Sequence, residues 1–130
     1  MRDHVTLTIT SLLSIVLFSL HWADEVARGI EPGTTSAVGG LLILFVWLYA
    51  TLVIGDRRSG LVLLLLGSLL AAGVPILHMQ GAGWVGGRIG PNSSGALFWV
   101  WTLVALGASG MLSLALSVRR LWRLSTSPGA

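Results

Sequence analysis

The chain has 130 residues, of which 54% are hydrophobic and only 10% are charged. Soluble domains usually carry about a quarter charged residues, so this composition excludes an ordinary soluble protein. The net charge of +3 comes from eight basic residues, all of them arginine, against five acidic ones. The arginines lie scattered between apolar segments, so nucleic-acid binding is not predicted. The absence of cysteine excludes disulfides, thiolate catalysis and cysteine-ligated metal sites.

Four apolar segments, each of about 18 residues or more, divide the chain, and a helix of that length is about 27 Å long, close to the hydrocarbon thickness of a bilayer. The sequence therefore predicts an all-α integral membrane protein, a four-helix bundle that runs up-down-up-down. The predicted spans are residues 5–22, 37–54, 60–77 and 95–118. They form a single domain over 1–124, followed by a short disordered tail at 125–130.

The first span begins, like a signal peptide, with a charged residue and an apolar run, but no small-x-small cleavage pattern follows it. We predict that it is retained and continues as helix to near Arg28. Polar and small residues recur along it in steps of three and four, which places them on one stripe that should face protein rather than lipid. The members of this stripe are Ser11, Ser14, Phe18, His21, Glu25 and Arg28.

The second and third spans are joined by the short turn 55–59, which predicts antiparallel neighbours. Gly67 and Ala71 of the third span follow the small-xxx-small pattern that lets membrane helices approach closely, and His78 lies on the same face. A glycine-rich loop, 79–94, contains Arg88 and leads into the fourth span.

The fourth span carries a stripe of small residues on one face, again typical of helix packing: Ala105, Ser109, Ser113 and Ser117. Two tryptophans near its start, Trp99 and Trp101, are predicted to lie at the membrane interface.

The arginines predict the orientation in the membrane. Six lie at the two ends of the chain and in the central turn, against two, Arg28 and Arg88, in the other loops. By the positive-inside rule both termini are predicted to be cytoplasmic, in a multi-pass protein of the bacterial or archaeal plasma membrane. His21, Asp24, Glu25, Arg28, His78 and Arg88 then share the outer face.

His21, Asp24 and Glu25 place an imidazole beside carboxylates on a helix, and His78 is a candidate to complete a site. One interpretation is a zinc, copper or iron site with His21, Asp24, Glu25 and His78 as candidate ligands. A second is a b-type haem with His21 and His78 as axial ligands. A third assigns these residues to helix capping, headgroup contacts and ion pairs, such as Glu25 with Arg28. Arg28 and Arg88 are also candidates to hold an anionic headgroup.

The sequence favours the absence of a cofactor over a haem or a transition metal. The first expectation for function is a non-enzymatic interaction subunit or small homo-oligomer, whose partners are the bilayer and other membrane helices. The alternative is a metal- or haem-binding membrane protein with its site on His21 and His78. A transporter or channel is a weaker alternative, because no ionisable residue lies near the centre of a predicted span. No candidate nucleophile is placed beside a base, so no enzyme is predicted.

Overall fold

The computed structural model describes residues 2–30, 34–78, 80 and 94–126. Within these ranges the chain forms four α-helices and no strand, which confirms the all-α prediction. They are α1 (Arg2–Ala27), α2 (Thr34–Leu52), α3 (Arg58–His78) and α4 (Ala96–Thr126). Three of them contain segments long and apolar enough to cross a membrane, namely Asp3–Ala27, Arg58–His78 and Ala96–Thr126. The second helix contributes a shorter apolar segment, Ala37–Leu52.

The end of α1 is set by a glycine with left-handed backbone geometry. Gly29 has a φ of 67°, which costs a glycine little because it has no Cβ. Its N–H donates to the Val26 carbonyl at 3.0 Å, and the Ile30 N–H donates to the Glu25 carbonyl at 3.0 Å. This pair of bonds is a Schellman motif, which satisfies carbonyls left over at the end of a helix. It also holds the backbone of Glu25 in an ordered last turn.

Other helix boundaries differ from the predicted spans by one to eight residues. The second helix ends at Leu52, two residues before the predicted end, and the turn to α3 follows directly. The fourth helix continues through Ser125 and Thr126, which the sequence assigned to a disordered tail. The rest of that predicted tail, 127–130, lies outside the described residues.

Consecutive helices run in opposite directions along the bundle. Near the start of α1, Asp3 Oδ2 lies 2.8 Å from Arg123 Nη1 near the end of α4. Beyond the end of α1, Arg28 Nη2 donates to the Ser94 carbonyl just before α4, at 2.8 Å. The ring of Trp22, late in α1, packs against Gly40, early in α2.

Small residues allow the close helix contacts that were predicted for the third and fourth spans. A Cβ added at Gly110 of α4 would lie 2.7 Å from the Cβ of Ala71 on α3. A Cβ added at Gly67 would lie 2.6 Å from the ring of Trp47 on α2. Separations under 3 Å leave no room for a side chain, so glycine is required at both contacts.

The polar stripe of α1 faces the other helices, as predicted. Ser11, Ser14, His21 and Glu25 are all buried. The Trp47 indole N–H donates to Ser11 Oγ at 2.9 Å, and Ser11 Oγ lies 2.8 Å from Thr51 Oγ1. Hydroxyls inside the bundle thus pair across helices, which is how polar groups are accommodated where water is excluded.

Candidate metal centre

His21, Glu25 and His78 meet at one end of the bundle. His21 and Glu25 lie one turn apart near the end of α1, and His78 is the last residue of α3. Each offers one potential metal ligand atom, and these atoms all lie within 4.8 Å of one another. The two histidines are 57 positions apart in the chain, and the antiparallel passage through α2 brings them back to the same level.

The imidazole of His78 is oriented by the backbone of its own helix. Its Nδ1 lies 2.9 Å from the carbonyl oxygen of Val74, one turn earlier. Because a carbonyl only accepts, Nδ1 carries a proton and donates it. The other nitrogen, Nε2, lies 2.8 Å from Glu25 Oε1. That separation is a hydrogen bond, so one proton lies between the imidazole and the carboxylate.

The imidazole of His21 is oriented from α4. Its Nδ1 lies 3.1 Å from Thr102 Oγ1. The single hydroxyl proton of Thr102 is directed at the carbonyls of Phe98 and Trp99, both 3.0 Å away. Thr102 Oγ1 therefore accepts from His21 Nδ1–H, and the lone pair of the neutral ring is on Nε2.

His21 Nε2 points its lone pair into the cluster without a hydrogen-bond partner. The residue is 2% exposed, and in the part of the chain that the structure describes nothing hydrogen-bonds to this nitrogen. Glu25 Oε1 lies 3.9 Å away, beyond hydrogen-bonding distance. A buried acceptor without a partner costs free energy, which a bound cation would offset.

The separations of Glu25 Oε1 from the two imidazoles are close to those that a small cation requires. Donors bound to Zn²⁺ at about 2.0–2.1 Å in tetrahedral geometry lie about 3.3 Å apart. The 2.8 Å and 3.9 Å separations of Glu25 Oε1 from the two imidazoles lie on either side of that value. In both rings Nδ1 donates to an oxygen and Nε2 faces the cluster, which is the orientation usual for metal-ligating histidines.

No protein-family model, curated protein or solved structure matches this chain. Its function is therefore inferred from the geometry of the site alone.

Trp99 packs against both imidazoles of the cluster. Its ring centroid lies 4.5 Å from that of His21 and 5.9 Å from that of His78, and the side chain is 0% exposed. Trp99 is buried inside the bundle, whereas Trp101 is 63% exposed. The reason is helical register: Trp99 lies on the same face of α4 as Ser109 and Ser113, and that face packs inside the bundle.

Sequence reasoning missed Trp99 and Thr102 as parts of this site. The signal that was available is their spacing, since Thr102 and Trp99 continue the buried stripe of α4 toward its start in steps of three and four. What the pattern does not show is that this stripe meets His21.

The geometry does not fit a haem held between the two histidines. Axial imidazoles stand on opposite sides of a flat macrocycle, with the iron between their Nε2 atoms. Glu25 Oε1 occupies that space, 2.8 Å from one Nε2 and 3.9 Å from the other. The ring centroids are also only 5.3 Å apart, which leaves no layer for a porphyrin.

The other predicted site residues do not join the cluster. Asp24 Oδ2 accepts a hydrogen bond from Arg28 Nε at 2.8 Å, so its carboxylate turns toward that arginine. This contact replaces the predicted pairing of Glu25 with Arg28. The Arg28 guanidinium also bonds the Ser94 carbonyl and so ties the end of α1 to the start of α4. Arg88 lies outside the described residues.

The cluster opens into a cleft of about 400 Å³ between α1, α2 and α3. Apart from the cluster itself, the walls are apolar or glycine; they include Phe18, Trp22, Gly39 and Leu77. A volume of this size is within the range of small-molecule sites in proteins. The ligand cluster is thus reachable from a largely apolar space.

Proposed function

We propose that this protein is a multi-pass membrane protein that binds a divalent transition-metal ion through His21, Glu25 and His78. The observation that carries the proposal is the convergence of one potential ligand atom from each of His21, Glu25 and His78 within 4.8 Å. Both histidines have Nδ1 engaged elsewhere, and both Nε2 atoms lie within 4 Å of Glu25 Oε1.

Two histidines and one glutamate are the ligands of many zinc and iron sites that keep a coordination position open. A metal held by these residues would release the proton between His78 and Glu25 to solvent, because both ligands must be deprotonated. His21, Glu25 and His78 all line the apolar cleft, so a further ligand would reach the metal from there. Binding, rather than a particular reaction, is what the geometry supports.

The proposed arrangement in the membrane has four helices alternating across the bilayer, with both termini in the cytoplasm and the metal centre at the outer end. Apolar side chains point outward along the helices, including Leu42 at 60%, Phe45 at 66% and Leu69 at 57% exposure. Since α2 is apolar on its exposed face and 19 residues long, it is about 28 Å in length and suits a bilayer. The arginine-rich end, where Arg120 pairs with Asp56 at 3.2 Å, is then cytoplasmic.

Metal binding is tested on the full chain, purified in detergent, by elemental analysis and by zinc titration against a chelator of known affinity. We expect about one Zn²⁺ per chain, and affinity reduced by more than about 100-fold in His21→Ala and in His78→Ala, since removing a ligand should exceed the loss from removing a supporting group. His4→Ala is the matched control, because His4 pairs with Asp56 at the opposite end of the bundle.

A protein without stoichiometric metal, or with zinc bound equally well by all three histidine variants, would contradict the proposal. The interaction-subunit expectation would then be favoured, and co-purifying membrane proteins would be sought.

Orientation is tested separately with single cysteines, for which the cysteine-free chain is well suited. A membrane-impermeant maleimide should label Gln80→Cys in intact cells and should label Ser59→Cys only after lysis. The reverse pattern would overturn the proposed orientation without affecting the metal proposal.

A further inference from the structure

The cleft beside the metal centre adjoins a second cleft. This second cleft, of about 340 Å³, lies between α2 and α3, and Ile43 and Leu70 line both clefts. Along α3 the two together extend from Leu63 to His78, which is about 22 Å at the rise of an α-helix. We call the two adjoining clefts together the groove; its length suits an extended chain better than a compact molecule.

The groove is apolar along its length and polar only at the metal centre. The second cleft is lined by leucine, isoleucine, valine, tryptophan and glycine. Leu77 lines the cleft beside the metal centre and is 61% exposed, and Ile43 lines both clefts and is 46% exposed. The groove therefore opens toward the proposed lipid-facing surface. A lipid molecule can therefore enter the groove laterally from the bilayer, and its apolar part stays in apolar surroundings.

The net charge of the metal-bound centre determines which polar group binds there. A divalent ion with two neutral imidazoles and the Glu25 carboxylate has a net charge of +1. Three protein ligands leave a position for a further donor, and an anionic oxygen there would neutralise the centre. The centre lies in the last turns of α1 and α3. In the proposed membrane arrangement this end of the bundle is close to the bilayer surface, where lipid carboxylates meet water.

We propose that the metal centre binds the carboxylate of a long-chain carboxylic acid drawn from the bilayer, with the acyl chain lying in the groove between α2 and α3. This rests on the proposed metal binding. The carboxylate occupies the open coordination position, and the first methylenes pass Gly39, whose missing side chain leaves the entrance to the groove open.

Gly39 and Gly73 provide a matched pair of variants. A Cβ added at either position meets nothing within 4 Å, so neither substitution introduces a clash at the Cβ. Gly39 lines the cleft beside the metal centre, whereas Gly73 on α3 does not. Gly39→Leu should therefore fill the entrance of the groove, and Gly73→Leu should serve as the control for adding a leucine to a helix.

The test uses Co²⁺ as the metal probe in the full chain reconstituted in lipid nanodiscs. Hexadecanoic acid is added at increasing mole fraction, and the visible absorption of Co²⁺ reports a change in its ligands. We expect saturable spectral changes with hexadecanoate and none with its methyl ester. Gly39→Leu should need about tenfold more acid, since forcing atoms into filled space costs about 1–3 kcal/mol, while Gly73→Leu should match the wild type.

The outcomes separate the two proposals. If wild-type protein does not bind Co²⁺, the metal proposal fails and this one fails with it. If Co²⁺ binds but hexadecanoate leaves its spectrum unchanged, or acts equally on Gly39→Leu and Gly73→Leu, only the long-chain acid is refuted. A response to acetate as strong as that to hexadecanoate would show an anion site without a role for the groove.

Discussion

Replacing Thr102 by valine tests whether the orientation of His21 is what prepares the metal centre. The substitution keeps the shape of the side chain and removes the acceptor that lies 3.1 Å from His21 Nδ1. Thr102 is 1% and His21 is 2% exposed, so water cannot take the place of the hydroxyl without repacking. A buried N–H left without a partner costs about 1–3 kcal/mol.

Thr102→Val should weaken metal binding because Thr102 supports the proposed ligand His21. Losing the partner of a ligating histidine typically lowers metal affinity by about 10–100-fold, or about 1.4–2.8 kcal/mol. We expect Thr102→Val to weaken zinc binding within that range and Thr102→Ser, which keeps the hydroxyl, to bind close to the wild type. Affinity is measured by chelator competition, and folding by thermal unfolding in the same detergent.

Ser113→Ala is the control for removing a buried hydroxyl from α4. Ser113 is 0% exposed, and its Oγ has no hydrogen-bond partner among the described residues. Its loss should leave both metal affinity and unfolding nearly unchanged. Zinc affinity of folded Thr102→Val equal to that of the wild type would refute the idea that Thr102 positions His21.

Further predictions concern the ligands and the packing of α2. Glu25→Gln should reduce zinc affinity while preserving the fold. The zinc affinity of the wild type should fall as the pH is lowered, since protons compete for the three ligands. Zinc titrations of both proteins at several pH values check these two predictions. Ser11→Ala removes the acceptor of the Trp47 indole at 2.9 Å and should destabilise the protein by about 1–3 kcal/mol, measured by unfolding in detergent. Gly67→Ala should destabilise by a similar amount, about 1–3 kcal/mol, because its Cβ would lie 2.6 Å from the Trp47 ring. Gly73→Ala, in open space, should be neutral or stabilising by up to about 1 kcal/mol, and equal effects at Gly67 and Gly73 would contradict the close packing of Gly67 on Trp47.

The meeting of His21 with His78 is predictable from the sequence. Helix periodicity places His21 and Glu25 on the inward stripe of α1, and the short turn before α3 returns the chain so that His78 ends at the same level. These inferences need only the rise and turn of an α-helix. They do not need the identity of the neighbouring side chains.

The roles of Asp24 and Trp99 could not be predicted in the same way. Asp24 and Glu25 are adjacent carboxylates, and a rotation of about 100° per residue separates them on the helix. The inward stripe contains Glu25 and not Asp24, but only the packing of α3 brings the Glu25 carboxylate to His78, while Arg28 lies beside Asp24. Tryptophan is a residue type common at membrane interfaces, and the burial of Trp99 depends on which face of α4 meets α1.

The sequence by itself determined the helical class, the apolar lengths that suit a membrane and the polar stripe of α1, because these follow from composition and from the geometry of one helix at a time. Only the tertiary structure decided that Glu25 joins the two histidines, that Thr102 and Trp99 hold them, and that a groove leads away between α2 and α3. Those features depend on the rotation and spacing of one helix against another. Side-chain packing sets both, and no periodicity within a single segment records it.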